Sequence, residues 1–148
     1  MNAVIFIGLQ ASGKSSFFLE KFYATHFRLN LDMLKTRHRE AILLNACIDA
    51  KQAVVIDNTN PTRKERIKYI NAFKKGQFHI TGYYFQSQLN ECIMRNSKRK
   101  GKNKIPIVGI KATYNKLEKP SFQEGFYQLF YVSLENDGFC VKAWKDEI

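Results

Sequence analysis

The chain has 148 residues, 45% of them apolar and 25% charged, the balance of one folded globular domain and not of a disordered or fibrous protein. Twenty-four Lys and Arg against 13 Asp and Glu leave a formal net charge of +11, which suits either a polyanionic partner such as nucleic acid or a basic enzyme that attracts nucleotides. The apolar start at residues 3–7 has no basic residue before it and is too short for a signal peptide or a membrane span, so a cytoplasmic protein with no membrane partner is expected.

Residues 4–7 form a continuous apolar run, the pattern of a strand buried on both faces of a parallel sheet. After Ser15, the apolar positions Phe18, Leu19, Phe22 and Tyr23 have helical spacing. Residues 27–29 read as a short second strand. Residues 32–50 read as one helix with Leu34, Ala41, Leu44 and Ile48 on a common stripe. Residues 53–56 form the next buried strand, ending at Asp57. Pro61 and the TRKE pattern at 62–65 open a helix with Ile67, Ile70 and Phe73 on its buried face.

Residues 78–85 read as a further strand. A helix over Leu89, Cys92 and Ile93 then runs into the basic tract KRKGKNK at 98–104, and Pro106 starts another helix through Tyr114 and Leu117. Two alternating segments at 129–134 and 139–143 flank NDG at 136–138, a hairpin signal. The three cysteines, Cys47, Cys92 and Cys140, have neither disulfide nor metal-ligand spacing. They read as reduced thiols used in packing. Strands alternating with helices imply an α/β fold with a parallel β-sheet sandwiched between helices, its ligands at the carboxyl ends of the strands.

GLQASGKS at residues 8–15 matches G-x-x-x-x-G-K-[ST] between a strand and a helix, the context that the phosphate-binding P-loop requires. Gly8 and Gly13 permit a tight turn in which backbone N–H groups of Gln10, Ala11, Ser12 and the following residues to Ser16 face phosphate oxygens. Lys14 reaches the β- and γ-phosphates of ATP, and the Ser15 hydroxyl is the candidate ligand for Mg²⁺. A P-loop NTPase fold, residues 1–148 as a single domain, follows. No apolar strand ends in a consecutive acidic pair, the GTPase base-reading motif is absent, and there is little room for a motor domain. A compact kinase survives that elimination.

Kinase chemistry needs a group that takes the acceptor's proton. Asp32 follows the second strand and is either that base or the cap of the next helix. Asp57, after the third strand, is suited to holding metal-bound water or substrate; Thr59 and Asn60 are candidate caps for the helix behind Pro61. Arg95, Arg99 and the basic tract fall in a segment at about 88–105 that reads as a small helical lid over the nucleotide, or else as a solvated charged face.

Together these residues resemble the kinase domain of the 5′-polynucleotide kinases of phage and animals, over nearly the whole chain. The resemblance rests on GLQASGKS at 8–15, NLD at 30–32, VIDNTNP at 55–61, RNSKR at 95–99 and YNKLEKPSFQEGF at 114–126. It implies that Lys14 and Ser15 bind ATP and Mg²⁺, that Asp32 is the general base on a 5′-hydroxyl, and that Arg99 and Arg95 are lid arginines on the phosphates. It places Asp57, Asn58 and Lys35 on the acceptor side. Leu31 stands where family members carry arginine, and Lys35 where the phage enzyme does; lysine is a point charge and makes no two-pronged phosphate contact. The family's phosphatase signature D-x-D-x-T is absent, so no 3′-phosphatase activity is expected. A ligase or phosphatase partner leaves no trace in the sequence. A small-molecule kinase and an ATP-gated nucleic-acid-binding module are the rival readings.

Overall fold

The computed structural model describes residues 1–136 and 138–146. Among them a six-stranded sheet runs β2 (Phe27–Leu29), β3 (Val54–Ile56), β1 (Asn2–Ile7), β4 (His79–Phe85), β5 (Gln128–Glu135), β6 (Gly138–Ala143). The first five strands are mutually parallel and β6 pairs antiparallel with β5. Glu135 lies opposite Gly138 in that hairpin. Asp137, the middle of the expected NDG turn, lies outside the described residues.

The helices are α1 (Lys14–Lys21), α2 (Leu31–Leu34), α3 (Arg37–Asp49), α4 (Arg63–Lys75), α5 (Leu89–Ser97) and α6 (Ile107–Lys116). Strand β1 shows why they cover both faces. Ile5 and Ile7 join Val54, Ile56, Tyr69 and Phe73 on one side, while Val4 and Phe6 join Phe17, Phe18 and Phe85 on the other. Each such buried apolar side chain contributes about 1.5–3 kcal/mol. A third cluster, Leu9, Cys92 and Ile110, seats α5 and α6 beside the first turn after β1.

Three expectations are corrected. Residues 32–50 are two helices and not one: Lys35 takes φ 77°, which ends α2, and the Thr36 side chain caps α3 by accepting from Arg39 N. Ala41, expected on its apolar stripe, is exposed, and the buried positions are Glu40 and Cys47. On α1 the buried apolar positions are Phe17 and Phe18, whereas Leu19 is exposed, as is Tyr23, which lies beyond the helix end at Lys21. On α4, Ile67 points outward and Arg66 and Tyr69 share the buried face with Ile70 and Phe73. The expected capping box between Thr62 and Glu65 is present.

Register places the functional loops at one edge. Leu29 pairs with Ile56, and Ile5 pairs with both Ile56 and Gly82. The turns after β1, β2 and β3 therefore leave the sheet side by side. Asp57 N donates to Leu29 O at 2.8 Å, and Gly8 N donates to Thr59 O at 3.0 Å.

Candidate active site

Gly13 begins α1 at φ 101°, and no side chain caps that helix. Its first N–H groups are thus left for an anion. A Cβ on Gly13 would also lie 3.1 Å from the Phe139 ring and 3.4 Å from Leu134, so space and backbone both demand glycine. Lys14 is folded back onto its own loop. Its Nζ donates to Leu9 O at 2.6 Å, to Gly8 O at 3.0 Å and to Ser12 Oγ at 3.4 Å. Burial pulls its pKa down to about 8, against the opposing attraction of Asp57 and, more weakly, Asp32. The Gln10 amide donates to Thr113 Oγ1 at 3.0 Å, tying the loop to α6.

Asp57 is buried at the end of β3, and its carboxylate accepts from Arg28 Nε at 2.8 Å. The same guanidinium donates to Ser15 Oγ at 2.9 Å. Sequence reasoning missed Arg28. Its only signal was a charged residue between Phe27 and Leu29 in a strand that ends beside the phosphate loop. Two oxygens that converge on one cation fit the first ligands of a divalent ion. The described residues contain no cluster of three or more His, Cys, Asp or Glu able to hold a metal. A phosphate-borne Mg²⁺ needs none, since it keeps waters and takes one or two protein oxygens.

The side of the cleft opposite the phosphate loop hangs from β3. Asn30, not Asp32, caps α2: its Oδ1 accepts from Met33 N at 3.1 Å while its Nδ2 donates to Asp57 O at 2.6 Å. Asn58 Oδ1 accepts from Leu31 N at 2.9 Å, and its Nδ2 donates to Glu40 Oε2 at 3.1 Å. Buried Glu40 also accepts from Tyr69 OH at 2.9 Å, and burial together with that carboxylate pushes the Tyr69 phenol well up. Asp32 stands in the first turn of α2, exposed, and among the described residues its carboxylate has no hydrogen bond or ion pair. Thr59 and Asn60 do not cap α4. Thr62 does, and Asn60 Nδ2 instead donates to Phe6 O at 2.7 Å.

Helices α5 and α6 flank a short loop whose base is stapled by buried Asn96. Its Nδ2 donates to Ile105 O at 2.6 Å, and its Oδ1 accepts from Ile105 N at 2.9 Å. Arg95 is not brought into the cleft among the described residues; its Nε donates to Ala11 O at 2.6 Å, latching α5 to the phosphate loop. Arg99 does face the cleft, with one hydrogen bond to Asn103 O at 3.3 Å. The cleft measures about 880 Å³ and carries six cationic side chains, Lys14, Arg28, Lys35, Arg99, Lys100 and Lys102, against the carboxylates of Asp32 and Asp57. Gln10, Ala11, Ser15 and Asn58 line it as well. Such a surface concentrates phosphate groups.

Residues 4–119 match the family described as AAA domain. The chain belongs to that family. Its fold is shared with solved structures: Kti12 from Chaetomium thermophilum, solved in complex with ADP-AlF3, superposes with a TM-score of 0.68 at 14% identity over 91% of this chain and 90% of that one. A gluconokinase from Sinorhizobium meliloti gives a TM-score of 0.61 at 16% identity, covering 91% and 83%. In sequence, the chain is 27% identical over 150 residues to the bifunctional polynucleotide phosphatase/kinase of Schizosaccharomyces pombe, covering 97% of this chain and 35% of that protein. It therefore spans about a third of that relative's length. No helix among the described residues is long and apolar enough to cross a membrane.

Proposed function

We propose that the chain transfers the γ-phosphoryl group of ATP to a hydroxyl, with the 5′-hydroxyl end of RNA or DNA as the acceptor. The observation that carries this reading is the unengaged Asp32 carboxylate, which shares one cationic cleft with Lys14, Ser15, Asp57 and Arg99. Similarity to the fission-yeast phosphatase/kinase supports the choice of acceptor.

In the reaction, Asp32 takes the proton of the attacking hydroxyl. A bond forms between that oxygen and the γ-phosphorus, the β–γ bridging bond breaks, and ADP leaves. Lys14 and Arg99 stabilise charge on the transferring group and on the β-phosphate. Ser15 Oγ and the Asp57 carboxylate would hold Mg²⁺, which would supply charge neutralisation of the phosphates. Asn30 and Asn58 hold α2, and with it Asp32, at the end of β3. Lys35, Lys100 and Lys102 offer charge to the phosphates of the acceptor strand.

The test is labelled ATP offered to 5′-hydroxyl RNA, 5′-hydroxyl DNA and a panel of small alcohols, at saturating ATP and several salt concentrations. Label enters the oligonucleotides, and their KM rises with salt at a log–log slope of about 0.7 per phosphate contact. Label in a small alcohol alone would make the chain a small-molecule kinase. Strand binding without label in any acceptor would make it a binding module.

A further inference from the structure

We propose that Arg28 is a cation built into the metal position, and that it determines how far the site distinguishes metal-bound from metal-free nucleotide. The inference rests on the nucleotide site proposed above and concerns a residue that the site's motifs do not include.

The Arg28 guanidinium is held on three sides. Its Nε donates to Asp57 Oδ2 at 2.8 Å, its terminal amino group donates to Ser15 Oγ at 2.9 Å, and its carbon lies 5.7 Å from the centre of the Phe18 ring. Asp57, whose side chain is only 2% exposed, would otherwise be a buried, unpaired carboxylate, which is costly. The oxygens that Arg28 holds are the two that a phosphate-borne divalent ion would use. An arginine cannot shed its charge. A guanidinium and a divalent ion bonded to the same two oxygens would lie only a few ångströms apart, where like charges repel strongly.

Arg28 and the metal therefore exclude one another. Without metal, the guanidinium keeps Ser15 and Asp57 aligned and gives a nucleotide's phosphates a positive charge to meet. With metal, Arg28 must release both oxygens; its side chain is 28% exposed and borders the open cleft into which it can turn. The consequence is a site that binds metal-free nucleotide comparatively well and needs more Mg²⁺ to load than it would without the arginine.

The experiment measures ADP binding by calorimetry in excess EDTA and across a Mg²⁺ series, for wild type, Arg28→Met and Arg28→Lys. In Arg28→Met, the ratio of the metal-free to the metal-bound Kd rises about tenfold or more, and half-saturating Mg²⁺ falls. Arg28→Lys, which keeps Asp57 partnered, moves the same way by less. A ratio within twofold of wild type would overturn the inference and leave Arg28 as a structural partner of Asp57. Wild type that binds no ADP in either condition would remove the nucleotide site itself, and this inference with it.

Should the variants fail to fold, wild-type protein labelled with ¹⁵N-arginine decides. The Arg28 Nε–H resonance keeps its position on adding ADP with EDTA and moves on adding ADP with Mg²⁺. A resonance unmoved by metal-bound ADP would overturn the inference.

Discussion

On the phosphate-loop side of the cleft, residues 8–15 hold one another, with the Lys14 ammonium on the carbonyls of Gly8 and Leu9 only six and five residues away. On the Asp32 side, by contrast, α2 has four residues and is fastened from β3, by Asn30 to Asp57 and by Asn58 to Leu31, each 27 residues apart in sequence. A helix of four residues is far too short to persist alone. The phosphate loop is thus a local motif braced by its neighbours, whereas the presentation of Asp32 is a tertiary property. Substitutions on the two sides should fail in different ways.

The largest effect is expected at Asp32. Asp32→Asn cuts kcat by about 10²–10⁴ if the carboxylate takes the proton, with ATP affinity by calorimetry and Tm both unchanged, since Asn30 and not Asp32 caps α2. A kcat near wild type would move the base elsewhere.

Lys14→Met comes next, with transfer lowered by about 10²–10³, the scale of one lost electrostatic contact at the transition state. Its stability should not suffer. The variant gives up the hydrogen bonds to Gly8, Leu9 and Ser12 but also removes an ammonium whose pKa burial has pulled from 10.5 to about 8, and calorimetry should find Tm close to wild type. A fall of several degrees would mean that Lys14 supports the fold as well as the chemistry.

Asn58→Ala probes the long-range fastening. It touches neither Lys14 nor the loop, yet frees the Leu31 amide and one face of buried Glu40. Misplacing Asp32 by a fraction of an ångström to one ångström lowers kcat by about ten- to a hundredfold, with ADP affinity intact. Equal losses in kcat and ADP affinity would show that the two sides are coupled and not separately built.

The smallest contrast lies in the lid. Arg99→Ala slows turnover about tenfold or more at saturating ATP, by the electrostatic argument applied to Lys14. Lys104→Ala, outside the cleft lining, changes it less than about twofold, as a solvated charge does. Similar effects at both positions would assign the tract to net charge.

Much of this molecule is legible along the chain. Alternating strand and helix patterns, the phosphate loop, the Thr62 capping box and the paired tail segments each depend on residues close together in sequence, whose periodicity and turn chemistry act locally. The rest required the folded sheet. Whether Asp32 caps or stands free depended on Asn30, whose amide reaches Asp57 across the β2–β3 pair. The break at Lys35, the outward turn of Leu19 and Ile67, and the burial of Glu40 with Tyr69 depended on which helix face met which strand. Arg28 carries the point furthest. As a sequence position it is one charge in a three-residue strand, and only the register that sets β2 against β3, with α1 above them, brings its guanidinium to Asp57 and Ser15 together.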